Sequence, residues 1–454
     1  MVARLAGLRC DEIEAQMGIE GYGTETRGVG GIVKKTPEDF IVSEILEGGL
    51  DAETLWSMAP LPMEPTRYTL WILKKRNSET VLALAELAKM LGVRPSKSML
   101  CGIKDRRAMT YQFVALPLTR GTAKVDSVLI KRGEARRIGY IDGLDSSRLT
   151  ANRFEVVVKG AEAEPSLLEQ FSAEAHVHGV PNFYGPQRFG LLRPVTHLVG
   201  GAIVKGDLRG AVETLLGYST DFEPEPARRA RRFFAETGDY ASSLNYFPRS
   251  LVYERRILKH LSERAGDYVG ALRKLPLRIR RLFVDAYSAY LFNKALSQTL
   301  REGLKPDEPA VGDLFIRMDR LSRPYGRPLQ VTASNIDEVR SRASEGQVAL
   351  AIPSPGYLSW IPGGPRGEVL KNILDEEGVS LKSFRVRGLP EASTSGLYRP
   401  ISLKPQMLSL ESLDNHTVKV SLRLPPAGYA TSLLRELMKR RCALAYIGVE
   451  HCYA

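Results

Sequence analysis

The chain has 454 residues, 43% of them hydrophobic, and a formal net charge of +12 from 64 basic and 52 acidic side chains. That length supports two or three packed domains, and no stretch approaches the ~18 apolar residues that a membrane helix needs. The basic excess favours a polyanionic partner, nucleic acid before membrane.

In chain order, the N-terminus carries acids by Asp11 and lacks the apolar core of a secretory signal. A Pro37-Glu38-Asp39 turn leads into a strand marked by alternating Phe40, Val42 and Glu44. Residues Tyr68 to Leu73 read as a second strand, with the basic pair Lys74-Lys75 at its end. Leu84, Leu87, Ala88 and Leu91 then hold helical spacing, with Ser78 or Thr80 as the cap. Ser98 to Cys101 and Thr110 to Ala115 predict two more strands, with Tyr111, Phe113 and Ala115 on one face of the latter.

Between them lies Gly102-Ile103-Lys104-Asp105-Arg106-Arg107, a loop with one carboxylate among three cations. The cations should keep Asp105 ionised. An ionised Asp in an electropositive loop suits a nucleophile beside a polyanion better than a general acid. The same spacing also fits a surface turn whose Asp bonds its own backbone.

Asn152-Arg153-Phe154 opens a strand in which Phe154, Val156 and Val158 share a face. On this pattern alone Phe154 reads as a core residue. His176 and His178 are expected on one strand face, without a third ligand to complete a metal site. Cys10, Cys101, Cys442 and Cys452 contain no Cys-x-x-Cys pair, which disfavours a zinc ribbon and fits a reducing cytosol. Residues 179–190 combine three glycines, two prolines and three aromatics in a rigid, irregular run. Arg188 within it suits a phosphate, a carboxylate or the loop's own backbone.

From about 200 to 395 the pattern changes. Asp221, Glu223 and Glu225 precede Arg228, Arg229, Arg231 and Arg232, and a strong helix runs through Phe283, Ala286, Tyr287, Tyr290 and Leu291. These arginines are expected to meet phosphate. Val418, Val420, Leu422 and Leu424 then mark a half-buried strand, followed by a helix with Leu434, Leu437 and Met438 on one face.

Six of these runs resemble the motifs of the tRNA pseudouridine synthase D family. They are Pro37 to Phe40; Gly102, Lys104, Asp105, Arg106 with Ala108, Thr110 and Gln112; Asn152 with Phe154; Asn182 to Gly190; Ala286 to Asn293; and Leu424 to Leu437. The chain departs from the family pattern at Arg107, where several members carry His, in the order of Phe183 and Tyr184, and in the spacing around Pro425-Pro426-Ala427-Gly428. The resemblance implies an α+β protein: a catalytic domain with a mixed, largely antiparallel sheet, residues 1–181 and 396–454, interrupted by an inserted α/β domain, residues 182–395. It implies Asp105 as nucleophile, Phe154 as the platform for a flipped uridine, and Asn152 holding Asp105. Lys75, Lys104, Arg106 and Arg188 would line the RNA cleft. The implied substrate is tRNA, usually at uridine 13, handled by a cytoplasmic monomer with no cofactor and no metal. The absence of Gly-x-x-x-x-Gly-Lys-Ser/Thr and of a strand-linked Gly-x-Gly-x-x-Gly agrees with an isomerisation that needs no donor, and counts against an RNA methyltransferase. The competing reading is a non-catalytic RNA-binding protein on the same scaffold.

Overall fold

The computed structural model describes residues 10–190, 192–426 and 428–449. Ala427 and Cys452 lie outside them. Among the described residues the largest unit is an eleven-stranded sheet. Its strands are β1 (Gly30–Ile32), β2 (Phe40–Leu46), β3 (Leu50–Asp51), β4 (Tyr68–Arg76), β5 (Met99–Leu100), β6 (Met109–Pro117), β7 (Ser127–Ile130), β8 (Gly133–Ile141), β9 (Leu149–Ala161), β10 (Met407–Asp414) and β11 (Thr417–Leu424). The main path runs β10-β11-β9-β2-β6-β4-β8-β7, with β1 on β9, β3 on β2 and β5 on β6. Only β2 and β6 pair in parallel, so the sheet is mixed and mostly antiparallel.

Strand β6 shows why this sheet is stable. Tyr111, Phe113 and Ala115 pack into a core on one face, and Val114 and Leu116 into a core on the other. Burying Phe113 alone contributes roughly 1.5–3 kcal/mol. Strand β4 beside it runs three residues past Leu73, so Lys74 and Lys75 are ladder residues, and it stops at Asn77, whose φ is 45°. The helix Thr80–Met90 buries Ala83, Leu84, Leu87 and Ala88. Neither Ser78 nor Thr80 caps it; Glu79 holds that position without a side-chain bond, and the Thr80 hydroxyl is used elsewhere.

Strand β9 pairs with β2 on one side and with β11, some 260 residues later, on the other. Between them the chain forms helices beside a second, four-stranded sheet ordered 324–330, 314–318, 348–354, 397–400, antiparallel throughout. The 25-residue helix Leu277–Arg301 packs on Thr196–Val204. A Cβ on Gly200 would fall 1.9 Å from the Phe283 carbonyl oxygen, so glycine is required for that approach.

Three expectations change here. His176 belongs to the helix Pro165–Val177 rather than a strand, because Leu167, Leu168, Phe171 and Ala175 give that segment a helical core face. Cys101 is a free buried thiol, whereas Cys442 is disulfide-bonded. The arginine helix Glu225–Thr237 is largely neutralised by its neighbours. Arg228 pairs with Asp221 and Glu225, Arg232 with Asp221, and the buried Arg231 with Glu223 and Glu254. The acids that precede the cluster in sequence fold back onto it.

Candidate active site

The loop between β5 and β6 carries Asp105 to the end of the sheet. One carboxylate oxygen accepts from Lys34 Nζ at 2.9 Å, and the other accepts from Gln187 Nε2. Lys75 Nζ donates to the Asp105 backbone carbonyl at 2.7 Å, from a position with no exposed surface. Burial pushes the Asp105 carboxyl up, but the charge and hydrogen bond of Lys34, the bond from Gln187 and the charge of Lys75 together hold it below the usual aspartate range. Burial in turn pushes Lys75 down to about 8, against the pull of Asp105 and with the repulsion of Lys104.

The cations that keep Asp105 ionised are therefore not those beside it in sequence. Lys104 also lines the cavity, but its ammonium is paired with the fully buried Glu44 at 2.8 Å. Arg106 lies in an exposed ion pair with Glu79 at 3.6 Å. Arg107 donates to the Ile447 carbonyl at 3.2 Å and ties the loop to the C-terminal segment. The Thr80 hydroxyl accepts from Lys104 N at 3.2 Å and donates to Gln112 Oε1 at 3.1 Å, fixing the loop against the neighbouring helix and strand.

Asp105 opens on a cavity of about 350 Å³, within the ~300–1,000 Å³ range of small-ligand sites. Phe154 and Asn152, two apart on β9 and so on one face, line it, as do Phe40, Gln187 and Tyr429. Phe154 is 8% exposed and meets Phe40 edge-on, with ring centres 6.0 Å apart. It is thus both a core residue and cavity wall. The Asn152 side-chain oxygen is buried and has no hydrogen-bond partner among the described residues, while Gln187 and Lys34 occupy the Asp105 oxygens. The expectation that Asn152 holds Asp105 is thereby replaced by Gln187 and Lys34. Arg188 stacks over Tyr184, its guanidinium carbon 5.4 Å from the ring centre.

Lys34 and Gln187 were not singled out from sequence. Gln187 stood within the 182–190 run beside Arg188, and Lys34 stood three residues before the Pro37 turn. Lys34 has φ 60°, an uncommon value for a side chain that carries a Cβ, and its ammonium lies 3.9 Å from the Phe40 ring centre. That backbone value is visible only in the structure, and the sequence carries no local signal that marks Lys34. Among the described residues no group of three or more His, Cys, Asp or Glu converges, and no helix is long and apolar enough to cross a membrane.

This architecture recurs in a crystal structure from Methanosarcina mazei, described as a tRNA pseudouridine synthase D candidate. It matches with a TM-score of 0.80 and 31% identity over 96% of this chain and 99% of that one. That likeness, with the family match and the relatives that follow, makes this chain a pseudouridine synthase, an isomerase. More narrowly, the family model of tRNA pseudouridine synthase D (TruD) matches residues 16–437, and the chain belongs to that family. A Methanococcoides burtonii relative named "Probable tRNA pseudouridine synthase D" is 32% identical over 439 residues, covering 94% of this chain and 97% of its own length. A Methanopyrus kandleri relative of the same name is 36% identical over 377 residues, covering 82% and 85%.

Proposed function

We propose that this pseudouridine synthase acts on a uridine of tRNA, uridine 13 being the position the family resemblance favours, with Asp105 as the nucleophile. The observation that carries the reading is the anionic Asp105 lining a cavity whose wall presents an aromatic ring and an unpartnered buried amide oxygen. The target base must leave its helix to reach Asp105. Phe154 then replaces the lost stacking, and the Asn152 oxygen accepts from a base N–H. The Asp105 carboxylate attacks C1′ or C6 of the uridine, or takes a sugar proton, and the N1–C1′ bond breaks. The base turns, C5 bonds to C1′ as Asp105 is released from any adduct or returns its proton, and the proton lost from C5 is balanced by one gained at N1. The same atoms leave as arrive, so the chemistry draws on no donor. Arg106 and Arg188 would meet RNA phosphate or base oxygens; Lys75 would do so only after leaving the Asp105 carbonyl, and Lys104 only after leaving Glu44. We assign the catalytic domain to residues 1–181 and 401–454 and the insert to 182–400, moving the boundary expected at 396 past strand 397–400, which completes the insert's sheet, with the cytoplasm as the place of action.

The test is conversion of uridine in a panel of tRNA transcripts under single turnover. Asp105→Asn keeps the volume of the side chain but lacks an anionic nucleophile. It should abolish conversion while RNA affinity stays within a few-fold. Near wild-type turnover would remove Asp105 from the role. Phe154→Ala should slow conversion by the equivalent of about 1–3 kcal/mol, more than it weakens overall binding.

A further inference from the structure

Among the described residues nineteen large apolar side chains are exposed, and single exposed apolar residues ordinarily need no explanation. One of them differs from the rest. Ile103 is 72% exposed and is the only member of that group that lines the Asp105 cavity. It stands two residues before Asp105.

The loop that presents Ile103 is fastened on both sides. Cys101 before it is buried, and its thiol donates to the Asp145 carbonyl. Lys104 after it is held by Thr80 through its backbone and by Glu44 through its ammonium. Asp105 is held in turn by Lys34, Gln187 and Lys75. Ile103 is therefore a branched, stiff side chain on a fixed base, projecting at the entrance through which a base must pass. The same attachment to Thr80 brings the start of the Thr80–Met90 helix to this loop, where Val81 and Leu82 are 53% and 63% exposed. Nothing on the described chain covers these apolar groups.

A nucleotide drawn out of a stacked strand leaves a gap between its neighbours, and closing that gap with an apolar wedge lowers the cost of extrusion. We propose that Ile103 is a positioning residue that enters the RNA stack at the place vacated by the target uridine. This rests on the uridine-flipping reading above. Asp105 and Phe154 would hold the base inside the cavity, while Ile103 blocks its return from outside.

The experiment compares two tRNA transcripts under single turnover. One is intact. In the other the nucleotide next to the mapped target is abasic, so the stack that a wedge must fill is already broken. Ile103→Ala should be about ten- to a hundredfold slower on the intact transcript, the equivalent of losing part of one unstacking step. On the abasic transcript it should match wild type within a few-fold, and Ile103→Leu should recover most of the rate on both. Because Ile103 is exposed, thermal melting of each variant should equal wild type, which separates the effect from misfolding. Equal slowing on both transcripts, or no slowing on either, would overturn the wedge while leaving the isomerase reading intact. Failure of the wild type to convert any uridine would instead overturn the isomerase reading, and the wedge with it.

Discussion

Asp105 and Glu44 stand on either side of one loop, and each faces a lysine at nearly the same distance, 2.9 and 2.8 Å. Their acidities move in opposite directions. Burial pushes both up. At Asp105, Lys34, Gln187 and Lys75 outweigh it, and the carboxyl falls below its usual range. At Glu44, Lys104 and the Phe113 backbone N–H do not outweigh complete burial, and the carboxyl ends above its usual range. A lysine beside a carboxylate thus does not by itself determine its charge. The number of donors and the depth of burial do.

The largest expected effect breaks the Glu44 side. Glu44→Gln keeps the bond from Phe113 but leaves Lys104 charged and nearly buried without a partner, and should cost about 3–5 kcal/mol of stability in urea unfolding. Glu44→Gln with Lys104→Met should recover most of it. The sign with pH is set by the raised pKa of Glu44: wild-type stability should fall as pH climbs from the ordinary glutamate value through the raised one, and this decline should vanish in the double variant.

Lys75 sharpens the Asp105 side. Its folded value of about 8 lies below the ordinary 10.5, so its buried charge costs stability below about pH 8. Wild type should therefore gain about 3 kcal/mol relative to Lys75→Met as pH rises from about 8 through the ordinary lysine value. Parallel stability curves for the two would contradict the shift.

Smaller again is Lys34→Met. Without the neighbour that lowers Asp105 most, the carboxyl should ionise at higher pH. The acid limb of single-turnover activity should move to higher pH. The smallest effect belongs to the arginine helix. Reversing Arg228 and Arg232 together should leave the salt dependence of tRNA affinity unchanged, since both already face Asp221 or Glu225. A slope flattened by about one to two units would return these arginines to the RNA footprint.

How much of this was legible in the sequence follows from how local each feature is. The Asp105 loop between two strands was readable because strand alternation and the Gly102 break lie within fifteen residues. The half-buried strand ending at Leu424 was readable for the same reason. The charge environment of Asp105 was not. The adjacent cations suggested it, but Lys104 and Arg106 pair with Glu44 and Glu79, and the partners arrive from positions 34 and 187. Thr80 had a good local role as a helix cap and a different one in the fold. The arginine cluster looked free because pairing across a turn leaves no periodic trace. The family resemblance supplied the role of Phe154, which its own spacing assigns to the core.

Strand β9, which carries Asn152 and Phe154, has its second neighbour near the far end of the chain. On the ribosome, roughly 260 residues are made between the two. Until β11 emerges, β9 presents an open row of backbone donors and acceptors beside Val156 and Val158. Such an edge invites pairing with the wrong strand, and a long-range closure of this kind is slow. This wall of the Asp105 cavity is thus closed late, and chains that terminate before residue 424 should be handled in the cell as aggregation-prone fragments.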